Sequence, residues 1–152
     1  MVAVSAILSA IHLLALAIGL PAVVFRAIVL RKAATEADVH RALAADTAWG
    51  VAAVLWIVTG PARAFGPFER GAAFYLSSPL FYLKISLFLA IFLIEITPMV
   101  ALIRWRMALG RGATPDLAPA RLYATLSLIE AVLVVAIVFI ASFMARGFAL
   151  RG

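Results

Sequence analysis

Four long apolar runs separated by short polar connections organise the chain. The first covers residues 3–30, with His12 and Arg26 as its ionisable interruptions; the others cover 46–64, 80–104 and 121–145. Each is close to or above the roughly 20 residues that a helix needs to cross a hydrocarbon core at a rise of about 1.5 Å per residue. The first run lacks a basic leading segment and a small-x-small cleavage site, so it is read as a retained helix and not as a signal peptide. Residues 31–45 form a polar, Ala-rich connection, partly helical, in which His40 is a solvated residue. Residues 65–79 mix Gly, Pro and Ser with aromatics and are expected to lie along the membrane surface. The pattern predicts one all-α domain over residues 1–152, a left-handed four-helix transmembrane bundle.

Within the runs the polar positions are not scattered. In the first, Ser5, Ser9, His12, Gly19 and Arg26 are spaced by four, three, seven and seven, which keeps them on one face of a bundle helix. Asp46, Trp49, Trp56, Gly60 and Arg63 do the same in the second run. In the third, Lys84, Phe88, Ile91, Glu95 and Pro98 share a face, since eleven residues at about 100° each bring Lys84 and Glu95 within about 20°. The fourth offers Tyr123, Ser127 and Glu130. An ionisable residue inside a span costs about 2.5–3.5 kcal/mol on insertion scales, so such residues face the bundle interior and have a partner or a purpose. A shared polar interior is the economical arrangement of four such stripes.

Arg26 and Asp46 are expected to meet as a structural ion pair near one rim, where both reach the interface. Glu95 and Glu130 lie nearer the middle or on the cytoplasmic side, as candidate proton carriers. His12 is either an axial or metal ligand or a hydrogen-bonding group between helices. Lys84 in its layer calls for an anion, and a bound carboxylate would supply one, with Arg63 available on the same rim. Trp49 and Trp56 could stack on a flat ligand or simply fill the core. No HxxxH, HExxH or ExxH pair is present, which speaks against a non-haem metal site.

Composition reinforces the membrane reading: 66% of residues are hydrophobic and 13% charged, against about 25% charged in ordinary soluble domains. The absence of cysteine excludes disulfides, thiolate metal sites and thioether-linked haem. The net charge of +6 does not point to nucleic acid, because the Lys and Arg residues cluster at span ends as anchors. Arg26, Arg31, Lys32, Arg41, Arg104, Arg106, Arg111 and Arg121 belong to the first and third connections, while Arg63, Arg70, Arg146 and Arg151 lie on the other side. That asymmetry predicts both termini in the periplasm of a bacterial cytoplasmic membrane.

The segment DTAWGVAAVLW in the second run, PLFYLKISLFLAIFLIEITPMVALIRWR in the third and His12 in the first resemble an uncharacterised bacterial family of small four-helix membrane proteins, over essentially the whole chain. More distantly the chain is similar to the haem b-binding, four-helix protoporphyrinogen IX oxidases and their copper-resistance relatives. That likeness implies haem b, with His12 as axial ligand and Lys84 as a functional cation. It departs at Glu95, where those enzymes commonly carry a second His. The resulting expectation is a haem- or porphyrin-binding redox protein. In it His12 holds the metal, Lys84 and Arg63 take propionates, and Lys84, Glu95 and Glu130 serve a membrane oxidoreductase acting on a tetrapyrrole, with electrons passing to a quinone or respiratory partner. The rival readings are a small proton-coupled transporter or ion pathway, which four helices would form as a homo-oligomer, and a non-enzymatic accessory subunit of a membrane complex.

Overall fold

Each apolar run forms a helix whose ends are set by local chemistry. The computed structural model describes residues 2–67 and 71–147. Its elements are α1 (Val2–Lys32), α2 (Glu36–Phe65), the short α3 (Ala72–Leu76), α4 (Pro79–Gly110) and α5 (Ala120–Ala145). Among the described residues there is no strand. Four of the helices, all but α3, are long and apolar enough to cross a membrane. Arg70 and Arg151, which entered the sequence reading above, lie outside the described residues.

The polar stretch expected to link the first two spans is mostly helix. α2 starts at Glu36 because Thr35 and Asp38 form a capping box, the Thr35 side chain accepting from the Asp38 N–H while the Asp38 carboxylate accepts from the Thr35 N–H. His40 is exposed on this first part of α2, 3.4 Å from Glu36 one turn earlier. α4 has Pro79 in its first turn, where the missing N–H costs nothing. It ends in a Schellman motif: the Ala113 N–H reaches the Ala108 carbonyl at 2.9 Å and the Gly112 N–H the Leu109 carbonyl at 3.0 Å. Gly112 adopts φ +69°, which glycine alone takes without strain.

The helices pack in the order α2, α1, α5, α4. The three neighbouring pairs of that order pack closely, whereas α2 and α4 meet at only a few positions. Small residues bring α1 and α2 together: Ala15, Gly19 and Ala22 are buried on α1, and Ala45 and Ala52 on α2. A Cβ on Gly19 would stand 2.8 Å from the Ala52 Cβ and 3.0 Å from the Trp56 ring, so the closeness of the pair depends on that glycine.

The interior is layered. Leu30, Val39, Ala42, Leu43, Leu102, Trp105, Ala120 and Ala124 form an apolar layer at the end that carries the α1–α2 and α4–α5 connections, called the connection end below. A second apolar layer holds Ala22, Val23, Trp49, Ile91, Ala131 and Val134, and a third, at the terminal end, Ala64, Leu80, Phe81 and Met144. Outside, large apolar side chains such as Leu14, Phe92, Val132 and Phe139 are exposed, as lipid-facing surfaces require.

Candidate functional site

Between the first two apolar layers every membrane-crossing helix contributes a polar side chain to one cluster. Arg26 of α1 lies between Val23 and Leu30, Asp46 of α2 between Leu43 and Trp49, Glu95 of α4 between Ile91 and Leu102, and Ser127 with Glu130 of α5 between Ala124 and Ala131. The guanidinium is the hub. Its Nε donates to Ser127 Oγ at 2.9 Å. Nη1 donates to Asp46 Oδ1 at 2.7 Å and Glu95 Oε1 at 2.8 Å. Nη2 donates to Glu95 Oε2 at 2.6 Å and Glu130 Oε2 at 2.8 Å. All five donors of the fork are thereby used, and Glu95 takes the bidentate position that only arginine can offer. Because Nη1 bonds both Asp46 and Glu95, the guanidinium of α1 also ties together α2 and α4, which scarcely touch.

Arg26 and Asp46 do pair, but not at a rim. The Arg26 and Glu130 side chains are 0% exposed, Asp46 15% and Glu95 17%. The interfacial location expected from sequence is therefore corrected: α2 begins earlier than the apolar run suggests, which carries Asp46 several turns into the bundle. Three carboxylates surround one guanidinium, and a fully ionised layer would hold two uncompensated negative charges in a low-dielectric interior, where each is expensive. Among the described residues Glu130 Oε1 is buried with no hydrogen-bond partner.

His12 lies elsewhere, toward the terminal end. Its Nδ1 is 2.7 Å from Thr59 Oγ1, and the Thr59 hydroxyl is 2.6 Å from the Leu55 carbonyl. A hydroxyl has one proton to give, so Thr59 donates to Leu55 and accepts from His12. The His12 ring therefore donates its Nδ1–H to Thr59. The Trp56 indole N–H donates to the His12 carbonyl at 3.3 Å. Trp49 and Trp56 meet edge to face, 5.8 Å between centroids, and both border the notch at Gly19. Lys84 and Arg63 are half-buried; Lys84 stands three turns of α4 from Glu95 and does not join the Arg26 cluster.

Two residues that act here escaped the sequence reading as site members. Thr59 is the partner of His12, and Ser127, read only as part of a stripe, accepts from Arg26. A third, Arg106, was read as an anchor. It follows Glu95 by eleven residues, as Glu95 follows Lys84, so the same periodicity places it on their face of α4. Its Nη2 donates to Thr47 Oγ1 at 3.1 Å and to the Leu43 carbonyl at 3.3 Å. Among the described residues no group of three or more His, Cys, Asp or Glu is arranged to hold a metal ion; the guanidinium occupies the centre of the acid cluster.

A family model described as a predicted membrane protein, DUF2214, matches residues 4–149 of the chain. No curated protein and no solved structure matches it.

Proposed function

The chain belongs to the DUF2214 family of predicted membrane proteins, and from that premise we propose that it moves protons, as a small proton pathway or proton-coupled carrier with the Arg26 cluster as its proton-binding site. The observation that supports this is the closure of three carboxylates, from three helices, on one fully buried guanidinium. An excess of acid over base inside a membrane is relieved by binding protons, and several acceptor oxygens a bond apart let a proton change hosts. Intramembrane acids of this kind build proton relays. The setting proposed is the bacterial inner membrane, connection end to the cytoplasm, with the chain working as a homo-oligomer or in a membrane complex.

The test is proton flux into liposomes carrying the purified protein, driven by a potassium diffusion potential and read with an internal pH dye. Wild-type protein is expected to exceed empty liposomes, and Glu130→Gln to return the signal to background. Silent liposomes containing folded wild-type protein would overturn the pathway and leave the cluster as a packing device of an accessory subunit.

A second reading, a haem b- or porphyrin-binding redox protein, is supported by the His12 geometry. Haem would supply one-electron chemistry there. The His12 imidazole, oriented by its Nδ1 bond to Thr59, would hold the haem iron. Neither Glu95 nor His40 fits as a second ligand: both Glu95 oxygens are engaged by Arg26, and His40, the other histidine, is exposed on the far part of α2. Under this reading the protein purified from a haem-replete host shows reduced-minus-oxidised haem b bands that His12→Ala removes, and a colourless preparation sinks it.

A further inference from the structure

Exposure of the cluster is one-sided. Arg26 and Glu130, on α1 and α5, are sealed, while the partly exposed members, Asp46 and Glu95, belong to α2 and α4. These are the two helices that scarcely touch. On the same seam, at the connection end, an open cavity of about 480 Å³ is lined by Glu36, His40, Leu43 and Thr47 of α2 and by Arg106 and Gly110 of α4, among others. Thr47 is the neighbour of Asp46 in sequence. Seven residues beyond Leu43, on nearly the same side of α2, Gly50 has open space where a Cβ would stand.

We propose that the cluster exchanges protons with water laterally, through the α2–α4 seam from the connection end, and that Arg106 is the latch across that passage. The inference rests on the proton-binding reading of the cluster and adds its route. The Thr47 hydroxyl donates to the Leu43 carbonyl at 2.9 Å, so its oxygen accepts from Arg106, and the guanidinium spans from α4 to the sequence neighbour of Asp46 on α2. The groups facing the passage are Glu36, His40 and Arg106 in the cavity, then Asp46 and Glu95 with Arg26 behind them. A proton entering by way of ordered water meets the two exposed acids first and Glu130 last.

The chain has no cysteine, so single-cysteine variants report water access directly, since only a hydrated thiol ionises and reacts with a charged, membrane-impermeant thiol reagent. Ala44→Cys tests the cavity, Gly50→Cys the deeper seam, and Val132→Cys, exposed on the outer face of α5, is the lipid-facing control. Labelling of liposome-embedded protein is expected at Ala44→Cys and Gly50→Cys and at least about tenfold slower at Val132→Cys. Adding Arg106→Ala speeds Gly50→Cys labelling at least about tenfold, the change in open population expected from losing even one of the two charge-assisted hydrogen bonds Arg106 gives α2. Arg106→Lys, which keeps a charged donor, restores most of the protection. Labelling of Gly50→Cys as slow as the control, or unchanged by Arg106→Ala, overturns the proposal. The reading and the route fail separately: a labelled seam with no proton flux sinks proton movement, and flux with an unlabelled seam sinks this route.

Discussion

Arg26→Met is expected to destabilise the bundle by about 3–5 kcal/mol, the usual effect of removing one partner from a buried ionic network. The substitution is close in volume and apolar, so the loss is electrostatic and not a packing defect. It deprives Asp46, Glu95, Glu130 and Ser127 of all the hydrogen bonds the guanidinium gives them and cuts the link that Nη1 makes between the Asp46 and Glu95 side chains. Arg26→Lys recovers little, because an ammonium has three donors and no planar fork for Glu95. The decisive comparison is Arg26→Met combined with Asp46→Asn, Glu95→Gln and Glu130→Gln. Replacing a whole buried network with neutral groups is far less costly than breaking it, so this variant is expected to regain most of the lost stability while moving no protons. Thermal or denaturant unfolding in mild detergent, followed by circular dichroism, measures both. A quadruple variant as unstable as Arg26→Met would mean that shape, and not charge, makes Arg26 necessary.

The second large effect separates the two glutamates. Glu95 accepts through both oxygens from the guanidinium, so Glu95→Gln sets an amide N–H against an arginine N–H and costs about 1.5–3 kcal/mol, the range for a lost hydrogen bond to a charged group. Glu130 uses one oxygen, and its other, Oε1, has no partner among the described residues. A carboxyl that carries a proton is well imitated by a neutral amide, so Glu130→Gln is expected to stay within about 1 kcal/mol of wild type. Both variants are nonetheless expected to abolish proton flux, since each removes a carboxylate through which a proton would pass. The infrared carbonyl band of a protonated carboxylic acid should be present in the wild type and absent in Glu130→Gln. Equal destabilisation by the two substitutions, with that band retained in Glu130→Gln, would place the proton elsewhere in the cluster.

Much of this was legible in the residues. The four crossing helices follow from the length of the apolar runs, and the inward face of each follows from the spacing of its polar positions, because both depend only on helix geometry and on lipid as solvent. Sequence also singled out Arg26, Asp46, Glu95 and Glu130, and paired the first two. What it did not provide was depth. Whether side chains on different helices meet depends on where each helix begins and how far it slides against its neighbours. A capping box at Thr35 and Asp38 starts α2 early and carries Asp46 inward. The positions of α4 and α5 then bring Glu95 and Glu130 to the same guanidinium, while Lys84, on the same face as Glu95 but three turns away, is left out. Hydrogen-bond direction was equally hidden, since the tautomer of His12 is decided by Thr59 and its bond to Leu55. Local periodicity thus determined which residues turn inward, and only tertiary packing decided which of them meet at one guanidinium, because charge pairing acts over a few ångströms across helices that the sequence does not place in register.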